Sequence, residues 1–181
     1  MAYTAGFRAR LVRDNMHNFV NQGLSDLGWF DSGRQHQAVV MYAEAKPWDE
    51  EIKANAVMVT TEGVRESELE LGSNLSEQSW EYYVDIIAES ESLGIHLATD
   101  IRDLLTGHIT DDMTYVGPRV PVYDLSQGGA TPDLAFMVEA IDVNMDKGRL
   151  YNTPTKKHWW QVAFTVVDAY ADEHYGEIPP P

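Results

Sequence analysis

The pattern of hydrophobic positions changes its period within residues 79–107, and this stretch organises the rest of the chain. From Trp80 onward the side chains alternate with the period of a half-buried strand. One face of this strand consists of Trp80, Tyr82, Val84, Ile86 and Ala88. After Ser90 the period becomes that of an amphipathic helix, which we expect Gly107 to end. Its apolar stripe consists of Leu93, Leu97, Ile101, Leu104 and Leu105. We expect this strand and this helix to pack on each other.

The same two periods predict the remaining elements. Apolar residues at helical spacing predict a long helix over residues 7–27, ended by Gly28. Short apolar runs predict strands at residues 38–42 and 56–60. Alternation predicts a strand over residues 134–143, with Leu134, Phe136, Val138 and Ala140 on one face. Alternation also predicts a last strand over residues 158–170, whose core face is Trp160, Val162, Phe164 and Val166.

Two long connections separate these elements. Residues 61–79 are polar and rich in glutamate, and Gly63 and Gly72 allow sharp bends, so this stretch is either an extended hairpin arm or a binding loop. Residues 108–132 lose the periodicity. Within them, residues 120–125 predict an edge strand, because Pro121 has no N–H to give to a central ladder.

This order of elements predicts an α+β fold. We expect a mostly antiparallel sheet of about four to six strands flanked by two helices, in the order helix, three strands, helix, two strands. A chain of 181 residues with 44% hydrophobic residues can bury one substantial core. We therefore predict one domain over residues 1–171 and a flexible, acidic and proline-rich tail over residues 172–181.

The charge and the cysteine count narrow the possible functions. With 29 acidic and 13 basic residues the formal net charge is −16, which repels phosphate backbones and anionic membrane surfaces. Arg8, Arg10 and Arg13 are interpreted as surface partners of acidic neighbours. The absence of cysteine excludes disulfides and thiolate chemistry. The amino terminus resembles neither a signal peptide nor a membrane span, so we expect synthesis in the cytoplasm.

Motifs that would indicate catalysis are missing from the sequence. There is no glycine-rich phosphate loop and no nucleophile elbow. His96, Asp100 and Asp103 have a spacing that could chelate a metal, but the expected helix face is solvated and no further ligand set matches it. The carboxylates at residues 49–51 and 111–112 lie in predicted loops and are interpreted as solvated charge. The sequence predicts no catalytic residue, metal or cofactor.

Aromatic side chains are the more informative candidates. Trp29 and Phe30 follow the first helix and either plug the end of the core or anchor another chain, since aromatic residues are enriched at interface hot spots. Trp159 alternates with the core residue Trp160, so it is expected to face solvent or a neighbouring molecule.

Several local stretches resemble the tail terminator (tail completion) proteins of long-tailed bacteriophages, in particular the members from actinobacteriophages. These stretches are GL at residues 23–24, GWFD at 28–31, ELGSNL at 70–75, WEYYVD at 80–85, LGIHL at 93–97 and DIRD at 100–103. The predicted order of helices and strands resembles the same family. The resemblance covers residues 7–170.

The resemblance implies a structural virion protein without catalytic activity. Members form a ring, typically a hexamer, that caps the head-proximal end of the tail tube, stops its polymerisation and contacts the head-closure or connector protein, while DNA passes through the lumen without specific binding. The implied location is the tail or neck of the virion. The residues expected at assembly interfaces are Trp29, Phe30, Trp48, Leu69, Leu71, Leu75 and Trp159. Two alternatives remain: another neck component, such as a head-closure or adaptor protein, and a small metal-dependent hydrolase.

Overall fold

The structure is a computed structural model that describes residues 5–30, 39–42, 55–68, 75–106, 108–109, 115–116, 119–124, 133–147 and 158–171. These residues form two helices and eight strands. They are α1 (Ala5–Asp26), β1 (Val39–Tyr42), β2 (Asn55–Glu68), β3 (Leu75–Ala88), α2 (Glu91–Leu105), β4 (His108–Ile109), β5 (Tyr115–Val116), β6 (Arg119–Asp124), β7 (Asp133–Lys147) and β8 (His158–Ala171).

Six of the strands form one mixed sheet in the order β1-β2-β3-β8-β7-β6. Strands β1 and β2 are parallel, and every other neighbouring pair in this sheet is antiparallel. The short strands β4 and β5 pair separately. The predicted α+β fold, with a helix and three strands followed by a helix and two long strands, is confirmed. Strand β6, which contains Pro121, lies at the end of the sheet as predicted.

Both helices contribute to one core on one face of the sheet, which we call the helix face. The predicted strand face is confirmed, because Trp80, Tyr82, Val84, Ile86 and Ala88 are all buried. The helix stripe is confirmed at Leu93, Leu97, Ile101 and Leu105. Leu104 is half-buried instead. Burial of each large apolar side chain of this core contributes a transfer free energy of about 2 kcal/mol to folding.

Two glycines allow the elements of this core to approach closely. A Cβ at Gly94 would lie 2.5 Å from the Trp160 ring, so α2 rests directly on β8 at this point. A Cβ at Gly23 would lie 2.6 Å from the Leu104 side chain, where α1 meets α2. Larger residues at either position would push a helix away from its neighbour.

The long hairpin between β2 and β3 settles the interpretation of residues 61–79. Strand β2 continues to Glu68 and β3 begins at Leu75, with pairs from Ala56 and Ile87 to Glu68 and Ser76. The stretch is therefore largely an extended hairpin arm. One β-bulge interrupts it between Thr61 and Gly63.

A second β-bulge changes which face Leu134 occupies. Val122 pairs with Phe136 but Tyr123 pairs with Leu134, so residue 135 is extra. Leu134 therefore leaves the face of Val138 and is 56% exposed. The predicted grouping of Leu134 with Val138 is wrong, because a bulge shifts the alternation by one residue and leaves no clear mark in the sequence.

Candidate assembly surfaces

Trp29 is positioned by the end of α1. The Gly28 N–H donates to the Ser25 carbonyl (2.8 Å) and the Trp29 N–H donates to the Leu24 carbonyl (2.9 Å), a Schellman ending with Gly28 at φ 75°. This turn directs the indole toward α2, where its Nε1 donates to Asp100 Oδ2 at 2.8 Å. Trp29 and Phe30 are half-buried and pack against the main core. The structure thus gives both rings contacts that plug the end of the core.

Trp159 lies on the outer face of the sheet, opposite the helices, in a small second cluster. It packs against the buried residues Ala56, Met58 and Ile87, as does the half-buried Tyr42. The indole Nε1 donates to Asp85 Oδ1 at 2.9 Å, and Gln161 Nε2 donates to the same oxygen at 2.9 Å. Trp159 is half-buried in this cluster, so its ring is held by contacts within the chain.

Asp85 is the ionisable centre of that cluster. Its residue is only 8% exposed, and burial raises the pKa of its carboxyl above the ordinary 3.8, while the hydrogen bonds from Gln161 and Trp159 act in the opposite direction. Asp85 lies directly opposite Gln161 in the β3–β8 ladder. The cluster therefore favours this register of the two central strands, because a shifted ladder would leave the buried carboxyl without its partners.

Of the other predicted assembly residues, the structure describes one, Leu75. Leu75 begins β3, at the end of the hairpin arm. Trp48, Leu69 and Leu71 lie outside the described residues, as do Gly107, the tail over residues 172–181 and the carboxylates at residues 49–51 and 111–112.

The residues of the alternative metal site do not come together. Asp100 accepts the hydrogen bond from Trp29, Asp103 pairs with Arg102 Nη2 at 2.7 Å, and His96 is exposed. Across the described residues, no group of three or more His, Cys, Asp or Glu side chains is arranged to hold a metal ion. Two arginines of α1 pair with an acidic neighbour as predicted, since Arg13 and Arg10 lie 3.0 Å and 3.9 Å from Asp14. The guanidinium of Arg8 lies 3.8 Å from the centre of the Phe136 ring, a contact that the sequence did not predict.

The outer edge of β6 is closed by α1. Asn15 Nδ2 donates to the Tyr123 carbonyl and Asn15 Oδ1 accepts from the Tyr123 N–H, each at 2.9 Å. The same amide donates to the Leu11 carbonyl within α1 at 2.8 Å. Asn15 is 3% exposed, so one buried side chain takes the place of a neighbouring strand at this point. Covering an edge in this way prevents another strand from pairing with it.

Two other stretches of the sheet edge have no such cover in the described part of the chain. Within the described residues, β1 pairs with β2 as far as Tyr42 and Met58, so β3 is the one described strand beside residues 59–68 of β2. Likewise the described pairing of β6 with β7 reaches Arg119 and Glu139, so β8 is the one described strand beside residues 140–147. We call these two stretches the β2 overhang and the β7 overhang. They lie on opposite sides of the sheet.

An exposed apolar surface borders the β7 overhang on the outer face of the sheet. We call it the β6–β7 patch, and it consists of Tyr123, Leu134, Met137 and Ile141, which are 36–56% exposed. Tyr123 and Leu134 are a cross-strand pair, and Met137 pairs with Pro121. Four large apolar side chains that are exposed on one sheet face are a common feature of protein interfaces.

The β7 overhang contains an unusual backbone conformation. Asp142 has φ 53°, in the left-handed region that Asp and Asn tolerate, and Asn144 Nδ2 donates to its carbonyl at 2.8 Å. A β-bulge lies here, between Ile141 and Asn144. A cavity of about 250 Å³ lies between this bulge and the end of α2, lined by Leu105, Thr106 and residues 139–143. The bulge thus shapes the surface around Ile141.

The sequence carried a partial signal for this patch and none for the overhangs. Met137 and Ile141 stood opposite Val138 and Ala140 in the predicted strand, so both of its faces were rich in apolar residues. A strand that is apolar on both faces is either buried twice or exposes one face for contact. The overhangs depend on the relative lengths of neighbouring strands, which periodicity does not reveal.

No protein-family model matches this chain, and no curated protein sequence matches it significantly. Neither of the two helices that the structure describes is long and apolar enough to cross a membrane.

Proposed function

We propose that this protein is a structural virion component, a tail terminator of a long-tailed bacteriophage. In this role several copies form a ring, expected to be a hexamer, at the head-proximal end of the tail tube. The ring stops tube polymerisation and joins the tail to the head-closure or connector protein. The protein acts in the neck of the virion after assembly in the host cytoplasm.

The observation that carries this proposal is a pair of sheet edges, on opposite sides of one subunit, that no strand of the described residues covers. A closed ring requires two different surfaces per subunit, since each copy must contact its neighbours through unlike faces. The β2 overhang and the β7 overhang are such a pair. The order of helices and strands, which agrees with the one expected from the family resemblance, gives further support.

The net charge of −16 is compatible with a ring through which DNA passes. Like charges repel, and an acidic wall offers no counterion release to a phosphate backbone, so DNA would not adhere to it. Direct contact with the tail tube and with the connector would then rest on apolar and backbone surfaces.

A phage that lacks this gene tests the proposal. We expect it to produce tails of variable and excessive length that do not join heads, and plasmid-borne wild-type protein to restore uniform, attached tails. Electron microscopy of negatively stained lysates measures tail length and attachment. Uniform tails attached to heads in the deletion phage would overturn the proposal.

The two alternative functions predict different results. Another neck component, such as a head-closure or adaptor protein, would bind the portal and leave purified tail tubes uncapped. A metal-dependent hydrolase would lose its function in the triple variant His96→Ala, Asp100→Asn, Asp103→Ala, whereas a terminator would still complement the deletion. Asn at residue 100 keeps a side-chain oxygen for the indole of Trp29.

A further inference from the structure

The two overhangs lie at the same height in the sheet. Across the sheet, Thr60 pairs with Tyr83, Tyr83 with Ala163, and Ala163 with Asn144. In the same way Val64 is connected through Trp80 and Val166 to Ala140. Residues 60–64 of one overhang and 140–144 of the other therefore occupy the same rows of the sheet.

The two overhangs also have matching lengths between these rows. Residues 60–64 and residues 140–144 each span four residue steps, whereas β3 and β8 span three steps between the same rows. Each overhang contains one β-bulge, between Thr61 and Gly63 in β2 and between Ile141 and Asn144 in β7. Each bulge shifts the pairing of its own strand with the neighbouring inner strand, β3 or β8. Because both overhangs have one extra residue, residues 60–64 and 140–144 remain equal in length.

The directions of the strands fit as well. Strand β2 is antiparallel to β3, β3 to β8, and β8 to β7, so β2 and β7 run in opposite directions. A second copy placed beside the first in the same orientation would bring its β2 overhang next to β7 as an antiparallel neighbour. Antiparallel strands can exchange regular backbone hydrogen bonds.

We propose that the β2 overhang of one copy pairs with the β7 overhang of the next copy, in an antiparallel ladder that places Thr60 opposite Asn144 and Val64 opposite Ala140. This inference names the contact between copies in the proposed ring and therefore rests on the proposed function. Because the rows coincide, the operation that relates neighbours needs no shift along the strands. A rotation without translation closes into a ring when its angle divides a full turn, whereas an added translation gives an open helix.

The size of the available surface agrees with a second copy as the occupant. The β6–β7 patch beside the ladder exposes four large apolar side chains, which would form part of the roughly 800 Å² per partner that a stable interface buries. The paired backbones and their flanking side chains would supply the rest. The proposed register also places Glu62 opposite Asp142, so the apolar and backbone contacts must outweigh the repulsion of these two carboxylates as well as that between two copies that each carry −16.

Engineered cysteines test the register, and the chain has no cysteine of its own to interfere. Thr60 and Asn144 lie on the outer face, and directly opposed residues in an antiparallel ladder have the Cα separation of a disulfide. We expect a mixture of Thr60→Cys and Asn144→Cys proteins to form disulfide-linked dimers at least tenfold faster than either variant alone. Asp146→Cys is the register control, since it lies on the same strand and face but two residues further along, and its mixture with Thr60→Cys should cross-link slowly.

Two isoleucines of similar exposure test the surface. Ile141 in the β7 overhang is 42% exposed, and Ile95 on α2 is 38% exposed. We expect Ile141→Glu to weaken self-association at least tenfold in sedimentation experiments and Ile95→Glu to leave it unchanged. Circular dichroism and thermal unfolding establish that both variants fold.

Three results would overturn the contact between copies. They are a wild-type protein that stays monomeric at millimolar concentration in high salt, equal cross-linking of the matched and the shifted cysteine pairs, and equal effects of the two Glu variants. Failure of the proposed function is separable from these results. A chain that forms the ladder while the deletion phage makes normal tails would contradict only the terminator function.

Discussion

The two edges of the sheet differ in whether their outward-facing backbone groups have partners within the described chain. At β6 the amide of Asn15 bonds both the N–H and the carbonyl of Tyr123, so the edge is closed from within the chain. Along residues 59–68 of β2, the described structure contains no strand or side chain that plays this part on the outer side. Natural sheets cover or disrupt edges that must not pair. At β6 a buried side chain covers the edge, whereas the described part of the β2 overhang is interrupted by the β-bulge between Thr61 and Gly63 and is not covered.

The largest expected effect comes from opening the closed edge. Asn15→Leu leaves the Tyr123 N–H and carbonyl without partners and removes a bond to Leu11, so we expect it to lower the free energy of unfolding by about 3 kcal/mol. Urea titration followed by circular dichroism measures this loss. Gln22→Leu, on an exposed position of the same helix, should change the stability by less than about 0.5 kcal/mol. Equal effects of the two variants would show that Asn15 does not hold the edge.

The next effect concerns the strands that support the β2 overhang. Asp85→Ala leaves the donors of Trp159 and Gln161 unpaired, and we expect a loss of about 2 kcal/mol. Asp85→Asn keeps an acceptor oxygen and removes the charge. Because burial raises the pKa of Asp85 in the folded state, the contribution of Asp85 to stability is greatest below its unfolded pKa and is lost as the pH rises through its folded pKa.

We therefore expect Asp85→Asn to be more stable than the wild type at pH 7, by roughly 1 kcal/mol, and to match it near pH 3. Thermal unfolding from pH 3 to pH 8 measures the difference. A constant difference across this range would contradict the assignment of the pH dependence to Asp85.

A smaller effect is expected where the helix that closes β6 is attached to α2. Trp29→Phe removes the hydrogen bond to Asp100 but keeps an aromatic ring, so we expect a loss of about 1 kcal/mol. Asp100→Asn keeps an acceptor and is the matched control, with a change below about 0.5 kcal/mol. The prediction is wrong if Asp100→Asn lowers the free energy of unfolding as much as Trp29→Phe does in the same urea titration.

The smallest effect is the response of the open edges to salt. Two copies with a net charge of −16 repel, so screening should strengthen their association by roughly two- to fivefold between about 0.05 and 0.5 M NaCl. Sedimentation velocity at several concentrations measures this change. Weaker association in high salt would instead indicate that the contact depends on attraction between opposite charges.

Prediction from the sequence worked best where one period continued over many residues. The strand face from Trp80 to Ala88 and the stripe of α2 are buried as predicted, because alternation and helical spacing directly reflect which side chains meet the core. Strand ends were less predictable. Strand β2 runs eight residues beyond its predicted end, since its polar residues pair with β3 without the alternation that marks burial.

For the candidate assembly surfaces, the sequence identified the hairpin arm as one of two possibilities and identified aromatic candidates. Two of these aromatics, Trp29 and Trp159, have hydrogen-bond partners within the chain that no local pattern predicts, because Asp100 and Asp85 are distant in sequence. The β6–β7 patch was visible only as apolar residues on both faces of a predicted strand. The bulge that turns Leu134 outward depends on its pairing with β6.

The fold class, the order of the main elements and most core residues could be predicted from the amino-acid sequence, because hydrophobic burial acts through periodicities that a single segment already carries. Which described sheet edges are covered and which are not depends on how the strands are assembled. An edge is defined by the length and position of its neighbours, and those neighbours come from parts of the chain far apart in sequence. The overhangs on opposite sides of the sheet, and their equal height, arise only when six strands are assembled in one order.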